Sequence, residues 1–157
     1  MRRALAFGLV CAQFVLLAAL VVVPHGTIWP VTGFTVAATV VLVAAGLLLA
    51  VLGLVGLGPA LTASPIPKQN APLVTGGVYA AVRNPIYTGL MVGGLGLALL
   101  GASVWHIAAW VLLVLLLSAK TRWEERMLLA EHAEFADYAT RVGRFLPGIG
   151  RLRERRS

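Results

Sequence analysis

Two long stretches without a charged side chain, residues 4–67 and 84–119, constrain this chain more than any other feature. All nineteen Asp, Glu, Lys and Arg residues lie outside them: Arg2 and Arg3, Lys68 and Arg83, and the rest within residues 120–156. A soluble domain spreads roughly 25% charged residues over its surface. Here 12% are charged and 59% are hydrophobic, and 157 residues cannot hide that much apolar surface from water. The division of charge is that of a polytopic membrane protein.

The expected fold is all-α, a single membrane-embedded domain over residues 1–157 with four transmembrane helices and a C-terminal cytoplasmic amphipathic helix. The first span covers residues 5–23 and the second residues 33–57, each long enough for a hydrocarbon layer of roughly 30 Å. The basic start and apolar run of the first resemble a signal peptide, but the run is long and a second span follows closely, so a retained helix is expected. Cys11 lies alone in it and reads as a small buried hydrophobe. Prolines at 59, 65, 67 and 72 then forbid a useful helix, which makes that segment interfacial or water-facing.

Residues 86–100 and 105–118, separated by "GAS", form either a tight hairpin of two short arms or one long tilted helix. The hairpin is favoured because it leaves Trp105 and His106 at an interface, where amphipathic rings prefer to lie. Four spans put both termini and the Lys68–Arg83 loop on one side. The turns near residues 24–30 and 101–103, which lack basic residues, fall on the other. The positive-inside rule makes the basic side cytoplasmic, and the expected location is the cell inner (plasma) membrane. From Lys120 the chain reads as one helix extending the last span, with Leu128, Phe135, Tyr138 and Val142 at helical spacing and an end near Gly143 and Pro147. Solvent exposure or anionic lipid headgroups explain the basic tail better than nucleic acid does.

Chemistry concentrates in the stretch "VRNPIYTG", residues 82–89, and in residues 122–138, which the four-span topology brings to the same membrane surface. Pro85 suits the first turn of a helix, and Asn84 before it can cap that helix or touch a ligand. Arg83 is either a membrane anchor or the partner of a carboxylate. Glu124 and Glu125 are either ordinary helix residues or acceptors for an ammonium or ribose hydroxyls. Tyr79 and Tyr87 can serve as interfacial anchors. Glycines at 76, 77 and 89 permit close backbone approach. Together these residues describe a polar-ligand site at the cytoplasmic interface and do not name the ligand. "GLVGLG" and "GLGLALLG" sit in apolar helices and read as packing surfaces, as does the GxxxG spacing of Gly89 and Gly93. His25, His106 and His132 have no metal-motif spacing and read as interface or surface residues.

"GGVYAAVRNPIYTGLMVGG" followed by "RWEERMLLAEHAEFADYATRVGRFLP" resembles the isoprenylcysteine carboxyl methyltransferase family and its relatives, the phospholipid N-methyltransferases. The resemblance covers residues 76–147 and rests on Gly77, Tyr79, Arg83, Pro85, Tyr87, Gly89, Glu124, Glu125, Tyr138, Arg144 and Pro147. It implies an integral membrane enzyme that uses S-adenosylmethionine. The implied cofactor-binding residues are Gly77, Tyr79, Arg83, Asn84, Pro85, Tyr87, Glu124, Glu125 and Tyr138, with Arg83 and Glu125 as catalytic candidates and Arg83 as the partner of the methionyl carboxylate. Asn84 stands where the archetype has histidine and cannot exchange protons as histidine does. The implied acceptor is a hydrophobic or prenylated molecule taken from the surrounding membrane lipids. A carboxylate is the first reading, a phospholipid or other lipid amine the second. A non-enzymatic small transporter or assembly protein is a third, and oligomeric state is open.

Overall fold

In the computed structural model, which describes residues 2–58 and 72–152, each apolar tract is helical. The proline-rich segment read as water-facing lies largely outside the described residues, as do Lys68 and the end of the basic tail. Helix α1 spans Arg2–Val22 and stops ahead of Pro24. Helix α2 spans Gly33–Leu57 and starts at a reciprocal cap, in which Thr35 N donates to Thr32 Oγ1 and Thr32 N to Thr35 Oγ1. A single 3₁₀ turn, Gly77–Ala80, leads into α3, Pro85–Gly101, with Pro85 in its first turn. Helix α4 spans Val104–Glu131 and α5 spans Ala133–Arg141. Among the described residues there is no strand, and the fold is that of a multi-pass membrane protein.

The "GAS" segment is a turn, as the hairpin reading requires. Ala102 takes the left-handed conformation at φ 42°, and Ser103 Oγ caps α4 by accepting from Trp105 N at 3.1 Å. The two arms are unequal, however. Helix α3 is roughly 26 Å long and α4 roughly 42 Å at about 1.5 Å per residue, so only α3 is short for a bilayer and the polar half of α4 projects beyond it.

Three further expectations need correction. Cys11 is exposed on the outer face of α1 and not buried. The helix from Lys120 onward is not one element: it breaks at His132, and α5 folds back on its own. Phe135, Tyr138 and Ala139 of α5 pack against Leu73, Leu128, Val142 and Leu152, a cluster that a continued α4 could not reach. His106 does not lie at an open interface either. It is 1% exposed, stacked on His25 with ring centroids 5.8 Å apart, whereas neighbouring Trp105 is exposed.

Packing explains how the site is assembled. Helix α2 lies along α3 at glycine distance: a Cβ on Gly46 would meet Gly93 N at 2.6 Å, and one on Gly89 would meet Ala50 N at 2.8 Å. The GxxxG face of α3 is therefore used within the chain. Helices α1 and α4 pack together and against α3 through Leu16, Leu17, Leu20, Ala98, Ala109, Leu113 and Leu117. At one end the two basic-free turns are bonded together, Gly26 N to Gly101 O at 2.8 Å and Ile28 N to Ala102 O at 3.0 Å. The polar elbow before α3 and the polar end of α4 meet at the other. Large side chains on the outer faces of α1, α2 and α4, among them Phe7, Phe14, Phe34 and Leu115, are exposed, as a lipid-facing surface requires.

Candidate functional site

The site is built where residues 82–84 pair with residues 143–144. Arg83 N donates to Gly143 O at 2.9 Å and Asn84 N to Arg144 O at 3.2 Å, which lays the elbow alongside the segment that follows α5. Gly143 allows the tight return: a Cβ there would meet Gly148 N at 2.8 Å. Thr88 Oγ1, one turn into α3, lies 3.0 Å from both Asn84 O and Phe145 O and fastens the same junction.

At its centre is the Glu125 carboxylate, held between two guanidinium groups. Arg83 Nε and one terminal nitrogen each lie 3.0 Å from Oε1. Arg144 donates to Oε2 from Nε at 3.0 Å and from a terminal nitrogen at 2.7 Å. The side chains of Arg83 and Glu125 are 1% and 6% exposed, that of Arg144 23%. Arg83 also donates to Ala139 O at 2.8 Å, Val142 O at 2.6 Å and Gly150 O at 3.0 Å. A guanidinium has five N–H donors; four of Arg83's make hydrogen bonds within this chain, and a terminal nitrogen also stands in ion-pair contact with Glu125. Engaged by the chain and 1% exposed, Arg83 is less open to a ligand carboxylate than Arg144 at 23%. Arg83 clamps α4, α5 and the following segment onto the elbow.

Adjacent Glu124 is in a different position. Its Oε1 accepts from Tyr87 Oη at 2.6 Å, and among the described residues nothing donates to its second oxygen. Asn84 does not cap α3 with its side chain. Its Nδ2 donates to Arg144 O at 3.3 Å and makes a long 3.5 Å approach to Glu125 Oε1, leaving Oδ1 without a donor among the described residues. Arg144 keeps one terminal nitrogen free of partners there. Open acceptors on Glu124 and Asn84 and an open donor on Arg144 thus border the same junction, Asn84 and Arg144 at Glu125 and Glu124 at Tyr87.

The remaining candidates support this junction. Tyr79 Oη donates to Gly53 O at 3.1 Å, tying the 3₁₀ turn to α2, and Tyr138 Oη donates to Tyr79 O at 2.6 Å. Burial raises the pKa of both phenols, that of Tyr138 to about 12, so both stay protonated donors at neutral pH. Pro85 is buried against Gly53. Gly77, at φ 59° with open space around it, exposes backbone that can approach a ligand. Arg144 belongs to the sequence motif but received no role there; its guanidinium reaches Glu125 only because α5 reverses the chain. The pairing of Gln13 with Lys120, at 3.0 Å inside the bundle, was not foreseen either. A lone amide in an otherwise apolar helix was the available signal, since it needs a partner.

The sequence profile of the phospholipid methyltransferase family matches residues 34–133, well over half of the chain. The chain belongs to this family. Among curated proteins it is similar to the cobalt-zinc-cadmium resistance protein CzcN of Cupriavidus metallidurans, 36% identical over 87 residues, which is 55% of this chain and 40% of that protein. It is also similar to the nickel-cobalt-cadmium resistance protein NccN of Alcaligenes xylosoxydans xylosoxydans, 33% identical over 87 residues, 55% of this chain and 41% of that protein. The chain spans less than half the length of these relatives. No solved structure matches. In this family member the elbow, α3 and α4 all fall within the matched region, whereas α5 from Glu134 onward and Arg144 lie beyond it.

Proposed function

We propose that this membrane protein is an S-adenosylmethionine-dependent methyltransferase whose acceptor is a hydrophobic molecule carried in the bilayer. The observation that carries the reading is the split between the two glutamates. Glu125 is consumed in holding the junction together, and Glu124, Asn84 and Arg144 are left open around it. An amino-acid end bearing both an ammonium and a carboxylate needs that combination, with the ammonium on Glu124 and Asn84 and the carboxylate on Arg144. The residues present fit the cofactor. When bound, it supplies an electrophilic methyl group on a sulfonium.

The chain's own contribution is then orientation and exclusion of water. Arg83, Glu125 and Tyr138 fix the junction, Tyr87 holds the Glu124 carboxylate in one orientation, and the apolar cluster beneath Tyr87 keeps water out. A carboxylate acceptor is already ionised at neutral pH and attacks without a base, which suits a site with Asn84 in place of histidine. A lipid amine is the second reading. An ammonium must lose a proton before it attacks, a step that can precede its binding. The basic side of the bundle, with the site and both termini, is read as cytoplasmic, and the membrane as the cell inner membrane.

Titration calorimetry of the full chain in neutral detergent tests this. Wild type binds S-adenosylhomocysteine, and Glu124→Gln weakens binding about ten-fold, the equivalent of about 1.4 kcal/mol. Absence of binding by well-folded wild type would return the chain to the transporter or assembly readings. Transfer of radiolabelled methyl to base-labile ester or to amine then separates the two acceptor classes.

A further inference from the structure

Tyr87 is approached from a second direction by a cation. Lys120 lies one turn before Glu124 on α4 and is 4% exposed. Its Nζ donates to Gln13 Oε1 at 3.0 Å and stands 4.8 Å from the centroid of the Tyr87 ring. Gln13 is itself buried, near the middle of α1. Tyr87 therefore meets Lys120 with its ring face and Glu124 with its hydroxyl.

This ammonium is unlike the other cations of the site. Arg83 and Arg144 share Glu125 at ion-pair distance, whereas among the described residues no carboxylate lies at ion-pair distance from Lys120, and Glu124, one turn along, acts on it only from farther off. Its side chain is enclosed by protein, so it does not run out along the helix to reach water, as a lysine near a membrane boundary ordinarily does. An ammonium has three donors, and Gln13 takes one. Keeping such a charge inside a bundle is costly, and an apolar side chain of similar volume would pack there at no such cost. The position explains what the charge can do. Tyr87, Leu16, Leu17 and Leu117 belong to one apolar cluster, so Lys120 caps the site end of a hydrocarbon-like core. A headgroup with a negative charge and an apolar chain matches both features.

We propose that Lys120, positioned by Gln13, holds an anionic group of the membrane-borne acceptor, a carboxylate or a phosphate, beside Tyr87. The inference deepens the methyltransferase reading and rests on it for the chemistry served. Gln13 acts by aiming the ammonium inward, which makes α1 part of the acceptor site rather than a lipid-facing support alone.

The test uses the full chain in neutral-detergent micelles and three probes with the same alkyl chain: dodecanoate, dodecyl phosphate and dodecanol. Wild type binds at least one anion about ten-fold more tightly than the alcohol, the worth of one charge-assisted hydrogen bond. The tighter of the two anions distinguishes a carboxylate from a phosphate acceptor. Lys120→Met abolishes the preference and leaves dodecanol binding in place. Gln13→Glu, of nearly the same shape, also abolishes it by giving the ammonium an internal carboxylate, and it guards against misfolding of the first variant. S-adenosylhomocysteine binding, measured in parallel, persists in both variants. An anion preference that survives Lys120→Met, or one absent from wild type, overturns the proposal. So does an equal loss of dodecanol and dodecanoate binding in both variants. Wild type that shows the Lys120-dependent preference but binds no S-adenosylhomocysteine would sink the methyltransferase reading and leave the anion subsite standing.

Discussion

Adjacent residues on an α-helix point about 100° apart, and that rotation gives Glu124 and Glu125 separate tasks. Glu125→Gln removes the charge that neutralises two guanidinium groups, one of them fully enclosed. A broken buried pair costs about 3–5 kcal/mol, so thermal unfolding in detergent should show a large loss of stability. Glu124→Gln should unfold close to the wild-type temperature and show its effect in cofactor binding. Arg83→Lys offers three donors where the junction takes four hydrogen bonds in a planar fork, and should destabilise by about 3 kcal/mol despite keeping its charge. The sequence was enough to single out both glutamates and Arg83, because polar residues bordering charge-free tracts are conspicuous. It could not say which glutamate faces Arg83, since that depends on Arg144, brought in by a chain reversal. Nor could it show that Arg83 also gives three hydrogen bonds to the backbone carbonyls of residues 139, 142 and 150, for those acceptors carry no residue signature.

Among the elements, α2 and α3 depend most on their glycines. Gly89→Ala forces a Cβ onto the backbone of α2 at Gly46 and Ala50. An overpacked contact of this kind costs typically about 1–3 kcal/mol; lower resistance to thermal unfolding checks it, with Gly93→Ala as the milder change because open space surrounds that Cβ. The helical spans and the hairpin turn were legible in the sequence, since charge-free runs separated by "PHG" or "GAS" leave few alternatives. The break between α4 and α5 was not. His132 is no helix breaker, and the spacing of Leu128, Phe135 and Tyr138 runs through it unbroken. Tertiary packing of Phe135 and Tyr138 against Leu73 and Leu152 ends the helix there, a contact that local periodicity does not encode.

On the scale of the whole molecule, the ends of the bundle are chemically unlike: one carries backbone-bonded turns without basic residues, the other the arginine-clamped junction. Charge placement along the chain was sufficient to foresee this polarity, because a membrane forces charge to the ends of helices. Its orientation can be checked with a membrane-impermeant maleimide on intact cells after Cys11→Ala. A cysteine at Thr27 should label from outside, and one at Asp137 only after the membrane is opened. The most direct measurement is a structure of the chain with S-adenosylhomocysteine bound. The predicted result has the ligand against Glu124, Asn84 and Arg144, with Arg83 still bonded to Glu125 and to the carbonyls of residues 139, 142 and 150. A ligand carboxylate seated on Arg83 with the Glu125 pair broken, or a ligand bound away from this junction, would contradict it.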